Sequence, residues 1–427
     1  MSIVLLLLGL IAFVAIGTPL CFALGAASLV YIFLQAPDFI VMVPPRIWSG
    51  ADSFVMIAMP LFILAGEIMN KGGVTNRIIN FCLYTVRPFR GGLGEVNVVA
   101  SMIFGGISGS SVADTSAIGG VLIPAMEEQG YSKKFSAGLT VASSTMGMII
   151  PPSVPMIMYS MVSGESVGAL FMAGLLPGVF IGISQLMVCY GISKKRGYHP
   201  EPTPFDKKHF LHTMVDSLPA IILPFLLVGS ISFGIATATE SASIAVLYAF
   251  ILGMFVYKEL TWKQVGEALK RTFMTSASIM IIIGFTTIFT WLLTMLQVPT
   301  MIANFVTMLN LEATGVLVLF GVILLILGTF IDVTPCILLV TPIMLPILKT
   351  YGVSGLQLGT LIITAMALGL VTPPVGMCLN ACTKVNDMPI IDIFKGALPF
   401  ICCNIVVLIL LILIPEVSVW LPGLLGY

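Results

Sequence analysis

Two aspartates stand in apolar sequence where a carboxylate is costly, Asp114 in GGISGSSVADTSAIGG and Asp332 in LGTFIDVTPCILL. Glycine and hydroxyl residues surround both. Glycines permit a sharp reversal and a close backbone approach. Hydroxyls and freed carbonyls are hard oxygen donors that suit a cation such as Na⁺. Each aspartate is followed ten residues later by a proline, Pro124 and Pro342. Each stretch then leads to a Pro-Pro pair, MGMIIPPSV at Pro151–Pro152 and LGLVTPPVG at Pro373–Pro374. A further proline, Pro177 or Pro399, lies 26 residues beyond the first proline of each pair. A broken helix offers amides at one end that attract anions and carbonyls at the other that attract cations. The chemistry predicted is therefore binding, at two pseudo-symmetric cation sites with a substrate cavity between them.

Backbone and hydroxyl oxygens of Ser108, Gly109, Ser110, Ser111, Asp114, Thr115, Pro151 and Ser153 form the first predicted Na⁺ set. Gly328, Thr329, Asp332, Thr334, Thr372, Pro373 and Gly376 form the second. Ser110, Ser111, Thr145, Pro152, Thr334 and Pro374 are the candidates for contact with substrate. The aspartates fit two roles, direct ligand or cap of a half-helix N-terminus, and side-chain direction is needed to separate them. A lone Gly-Ser cluster in an apolar helix is usually tight packing and a lone Pro-Pro a kink. Their joint recurrence in both halves favours paired sites. Glu240, in GIATATE, reads as a cap or packing contact at an outer surface.

The elements that must carry these residues are membrane spans. Of 427 residues, 58% are hydrophobic and 9% charged, with a mean hydropathy of +1.10; soluble domains are about 25% charged. Many apolar runs reach the roughly 20 residues that a spanning helix needs. The fold class is all-α and polytopic, the surroundings a lipid bilayer, and a nucleic-acid partner is excluded by composition. MSIVLLLLGLIAF lacks the basic region of a cleaved signal peptide and reads as a first span. The eight cysteines mostly fall in apolar runs and read as packing residues. The three histidines share one polar segment, which argues against a metal site.

GTPLCFALGAASLVY and GIATATESASIAVLY extend the duplication to Gly17 and Gly234. The division is 1–193, a polar linker at 194–213, and 214–427. Helices are predicted at about 2–16, 19–35 and 53–70 in the first repeat, and 217–233, 239–257 and 273–293 in the second. Each repeat continues with an amphipathic stretch, a re-entrant hairpin (about 92–126 and 313–347), a helix broken at 145–153 or 371–377, and a last span. Five crossings plus one hairpin per repeat invert the second repeat. Placing the N-terminus outside puts 17 of the 19 Lys and Arg on the inner side, leaving only Arg46 and Lys349 outside. Both termini are then predicted on the periplasmic side.

GTPLCFALG, FGGISGSSVADTSAIGGVLIPAM, ASSTMGMIIPPSVPMIMY, GIATATESASIAVLY, GTFIDVTPCILLVTPIMLPI and LGLVTPPVGMCLN together resemble the large membrane subunit of tripartite ATP-independent periplasmic (TRAP) transporters. They cover most of the chain. One departure is Ala238, where the family commonly has the proline of Thr-Pro-Thr-Glu. The resemblance implies a Na⁺-driven secondary importer of an organic acid in the bacterial inner membrane, nearest the sialic-acid branch. It also implies an elevator with scaffold and transport domains, a separate small four-helix membrane subunit, and a periplasmic substrate-binding protein. The alternative is a stand-alone ion-coupled anion symporter of the same hairpin architecture. Catalysis is not expected: HExxH and GxxxxGK[ST] are absent, and Ala113 and Ile331 precede the aspartates where an intramembrane aspartyl protease has GxGD or Tyr-Asp.

Overall fold

The computed structural model describes residues 2–86, 92–198 and 207–427. In chain order the helices are α1 (Ser2–Ala15), α2 (Leu20–Gln35), α3 (Val43–Ala51), α4 (Phe54–Lys71), α5 (Val74–Val86), α6 (Gly92–Ser108) and α7 (Ser111–Glu128). There follow α8 (Lys133–Ser144), α9 (Met146–Ile149), α10 (Val154–Ser163), α11 (Val167–Arg196), α12 (Lys207–Ser232), α13 (Ala238–Ile251) and α14 (Trp262–Met295). The chain ends with α15 (Val298–Met308), α16 (Ala313–Phe330), α17 (Val333–Thr350), α18 (Gly355–Gly369), α19 (Met377–Asn386), α20 (Ile390–Leu413) and α21 (Glu416–Leu424). Eight helices among the described residues are long and apolar enough to cross a membrane, or nine when the bent pair around Asp52 is taken as one span. No strand is present among the described residues. The predicted amphipathic stretches correspond to α5 and α15; Arg87, Arg90 and linker residues 199–206 lie outside the described residues.

Local chemistry sets the helix ends. Thr237 and Glu240 cap each other's backbone at the start of α13, which settles the role of Glu240. Thr261 and Gln264 do the same for α14. That box starts α14 about three turns before the predicted 273, and its 34 residues extend about 51 Å. α12 likewise begins inside the predicted linker, at Lys207. Two elements were not predicted. α3 opens with Pro44 in its first turn, a position that proline favours. α21 lies against α11, and the Tyr427 hydroxyl donates to the Ile231 carbonyl at 3.1 Å.

Glycines bring helices into backbone contact. A Cβ on Gly105 of α6 would lie 2.9 Å from Cα of Gly147 in α9, and one on Gly328 of α16 would lie 3.1 Å from Cα of Gly369 in α18. α8 and α20 touch in the same way through Gly138 and Gly396, and Lys134 pairs with Asp392 across them at 2.8 Å. A separate apolar cluster joins α1, α2 and α14 through Leu6, Leu24, Ile32, Ile288 and Leu292. In the first turn of α5, Arg77 ties the two halves of the chain together. It reaches Asp216 at 3.1 Å and Glu259 at 2.8 Å, and lies 3.6 Å from the Tyr257 ring centre.

The repeat register differs from the one read in the sequence. α7 and α17 both contain 18 residues and start 222 positions apart, at Ser111 and Val333. The Pro-Pro pairs, Pro177 and Pro399, and Gly147 and Gly369 are separated by the same 222. The aspartates are 218 apart and are therefore not counterparts. In structural register Asp114 matches Cys336, Asp332 matches Ser110, and Pro124 matches Pro346 rather than Pro342. Four residues are about one helical turn, so the aspartates sit one turn apart relative to their helix starts.

If the glycine contacts hold the hairpins on the broken helices, Gly369→Ala will lower the thermal midpoint of the detergent-purified protein, by overpacking that costs about 1–3 kcal/mol. Gly266→Ala, in a helix with open space around it, will not lower it.

Candidate functional site

The first hairpin breaks at Gly109 and Ser110, between α6 and α7. Gly109 takes φ +60°, and a Cβ there would meet Val154 N at 3.2 Å and Pro152 O at 3.3 Å. The tip thus lies on the unwound backbone of the first Pro-Pro break. Ser110 is the N-cap of α7 and accepts from Ala113 N–H at 3.5 Å. Ser108 and Ser110 are joined only by long bonds, 3.3 Å and 3.4 Å. Ser108 and Gly109, together with Pro152, Ser153 and Val154, line a small cleft that Phe62 of α4 and Ile107 complete. Ser153 caps α10, accepting from Met156 N–H at 3.3 Å and donating to the Met148 carbonyl. Pro151–Pro152 and Pro373–Pro374 are both cis.

Asp114 lies one turn into α7 and is fully buried. Neither carboxylate oxygen has a hydrogen-bond partner, and the Ser111 hydroxyl beside it is likewise buried and unpaired. Gly147 packs on the Asp114 Cβ, where an added Cβ would stand 3.5 Å away. The Thr115 hydroxyl lies 2.9 Å from the Ser111 carbonyl and 2.7 Å from Ser144 Oγ. Asp114 is therefore not the cap of its helix. Asp332 is: it stands at the N-cap of α17 and one of its oxygens accepts from Val333 N–H at 2.8 Å. Of the two roles left open by the sequence, the cap belongs to Asp332.

The second site is built from the same parts but is more open. α16 ends at Phe330, and Gly376, at φ +49°, precedes α19. Thr329 and Thr372 donate back to their own helices, at Ile326 O and Leu368 O, both 2.8 Å. Thr334 is half-buried in the first turn of α17. Pro374 and Val375 are exposed, whereas Pro151, Pro152 and Ser153 are buried. α19 carries the fully buried Cys378 and packs against α7 of the first hairpin.

Thr145 differs from expectation. It is fully buried, donates to the Ala142 carbonyl at 2.6 Å and accepts from Asn404 Nδ2 at 2.9 Å. In this conformation its hydroxyl is committed to protein and not open to a substrate. Asn404 Oδ1 in turn accepts from Gln185 Nε2 at 2.8 Å. A second buried network links Thr140, Asn97, Ser143 and Ser101: Asn97 donates to Thr140 at 2.7 Å and accepts from Ser143 at 3.2 Å. The sequence contained a signal for both networks, single amides in apolar runs, which are costly unless partnered.

Residues 7–417 match the tripartite ATP-independent periplasmic transporter family, DctM component. The chain belongs to this family. The large permease is 35% identical over 412 residues to the sialic acid TRAP transporter large permease protein SiaM of Vibrio cholerae, covering 96% of each chain. It is 33% identical to the C4-dicarboxylate TRAP transporter large permease protein DctM of Pseudomonas aeruginosa, covering 95% of this chain and 94% of that one. It is also 33% identical to the 2,3-diketo-L-gulonate TRAP transporter large permease protein YiaN of Escherichia coli, over 97% of this chain and 98% of that one. The crystal structure of the YdaH transporter of Alcanivorax borkumensis superimposes with a TM-score of 0.66 over 89% of the permease and 88% of that chain. At 13% identity that likeness shows a common fold and nothing more. The permease is a multi-pass membrane protein of the TRAP large-permease type.

Capping and charge at Asp332 can be separated. Asp332→Ala will lose about 1 kcal/mol of stability in thermal unfolding, whereas Asp332→Asn, an equally good cap, will lose less than half as much. If Asp332→Asn also leaves the Na⁺ dependence of uptake unchanged, Asp332 is a cap alone.

Proposed function

We propose that the permease is the Na⁺-coupled importing subunit for an organic acid, sialic acid or a C4-dicarboxylate-like carboxylate. A periplasmic binding protein delivers the acid, and a small four-helix membrane subunit braces the permease in the bacterial inner membrane. The observation that carries the Na⁺ reading is Asp114, a fully buried carboxylate whose oxygens have no hydrogen-bond partner. Such a charge costs of order 3–5 kcal/mol when left uncompensated. The unpaired Ser111 hydroxyl, with Thr115 and Ser144 beside it, is a hard oxygen set that fits Na⁺. In this reading Asp114, Ser111 and the tip carbonyls hold one ion, and Asp332, Thr334 and the second break hold another. Ion binding removes the cost of the buried charge and stiffens the tip. The N-terminal amides of α7 and α10, which open toward the first break, favour the substrate carboxylate.

Movement follows as an elevator. The body carrying both hairpins and both broken helices slides against a frame that includes α1–α4 and α12–α14. Inverted repeats with both termini on the periplasmic side support this reading, because 17 of the 19 basic residues then lie inside. Relatives named for sialic acid, diketogulonate and C4-dicarboxylates support an organic-acid substrate.

Reconstituted with its small subunit in proteoliposomes, the permease will take up the acid only with an inward Na⁺ gradient and the binding protein present. Full-rate uptake with Na⁺ alone would favour the stand-alone symporter. Asp114→Asn will raise the half-saturating Na⁺ concentration by about tenfold, equivalent to ~1.4 kcal/mol. Ser110→Ala and Thr334→Ala will raise it less. Unchanged Na⁺ dependence in all three, at normal expression, removes the assigned sites.

A further inference from the structure

Phe62 closes the cleft opposite the first hairpin tip. It is 6% exposed and is braced by Phe171 of α11, with ring centres 6.3 Å apart and planes at 77°. The brace holds the ring edge-on, so it cannot turn aside without losing an aromatic contact. The facing walls are mostly backbone or short polar groups: the Ser108 hydroxyl, Gly109, and the turn from Pro152 to Val154. Val154 N–H is the first amide of α10 and has no intrahelical carbonyl to bond. Gly109 cannot take a Cβ without pressing on Pro152 O and Val154 N, so that wall is fixed. α4 also fits closely under the tip, since a Cβ on Gly66 would lie 3.3 Å from the Ile107 carbonyl. The cleft thus has a polar, anion-favouring side and an aromatic side. The aromatic side comes from a helix outside the hairpins and broken helices.

We propose that Phe62 is a specificity-determining residue, which limits the size of the substrate's body while the tip and the first break hold its carboxylate. The proposal rests on the cleft being the organic-acid site. The cleft has room for little more than a water molecule, about 10 Å³, so any acid must displace the ring, and a bulky sugar acid must displace it further than a small one. Because Phe62 belongs to α4, it bounds the cleft only while the hairpin tip stands beside that helix. Movement of the hairpin body leaves the ring behind, so Phe62 selects on one side of the transport cycle.

The test uses the full-length chain with its small subunit, purified in NaCl and titrated calorimetrically with succinate and with N-acetylneuraminate. One methylene in an apolar pocket changes selectivity about 10–200-fold. Phe62→Ala is expected to shift the ratio of the two Kd values at least tenfold toward N-acetylneuraminate, and Phe62→Trp to shift it toward succinate. Phe62→Leu retains an apolar contact with Phe171 and is expected to give an intermediate ratio, which guards against a misfolded alanine variant. Ratios within twofold of the parent in both Phe62→Leu and Phe62→Trp overturn the proposal and leave the organic-acid reading intact. A parent that binds neither acid in Na⁺ overturns that reading, and this proposal with it.

Discussion

Two helices can touch backbone to backbone only where neither carries a side chain at the crossing, and the candidate site depends on two such crossings. Gly105 meets Gly147, and Gly328 meets Gly369, in each case joining the first arm of a hairpin to the broken helix of its own repeat. In a bilayer, packing of this kind replaces the hydrophobic drive that holds helices together in water. Everything polar at the tips follows from it. Gly109 can rest on Pro152 and Val154, and Gly147 can pack on Ser110 and Asp114, only because the arms are already this close. The unwound segments are then covered by protein, the condition under which non-helical backbone survives at membrane depth.

Side-chain amides reinforce what the glycines bring together. Asn404 and Gln185, from the last long helices of the two repeats, grip Thr145 and the Ala142 carbonyl just before the first break. Asn97, Ser143 and Ser101 tie α6 to α8 beneath Asp114. Both networks are fully buried. A buried amide left without partners would cost more than the bonds contribute, so these groups specify the arrangement as much as they stabilise it. They hold the protein side of the site still and leave Asp114 and the loosely bonded tip as its least constrained groups.

Much of this was legible in the residues. The hairpin arms end within about three residues of their predicted limits, because Gly, Ser and Pro punctuate helices strongly. The position of each break was less legible. Serine and aspartate are comparable N-caps, so GSSVAD offers several starts for α7, and the helix begins at the first. α17 holds both Pro342 and Pro346, and only the first matches the ten-residue spacing that paired the aspartates. α3 was hidden because Pro44-Pro45 reads as a loop, although proline suits a helix start. The long-range partners of Thr145 and Asn97 were beyond reach, since a lone amide in an apolar run shows its cost but not its partner.

The corrected register changes what duplication means here. Each hairpin has one carboxylate near its tip, but on a different turn: Asp332 at the cap position that Ser110 fills in the first repeat, and Asp114 where the second repeat has Cys336. Capping engages one oxygen of Asp332 with Val333 N–H, whereas both oxygens of Asp114 remain unpaired. The first break is buried and the second exposes Pro374 and Val375. A symmetric pair of sites would respond to an ion in the same way and could not favour one side of the membrane. In the Na⁺-coupled reading proposed above, one carboxylate committed to its helix and the other uncommitted would make an ion act unequally on the two hairpins. α19, which follows the second break, packs against α7 of the first hairpin, so the two unlike halves of the site share a helix contact.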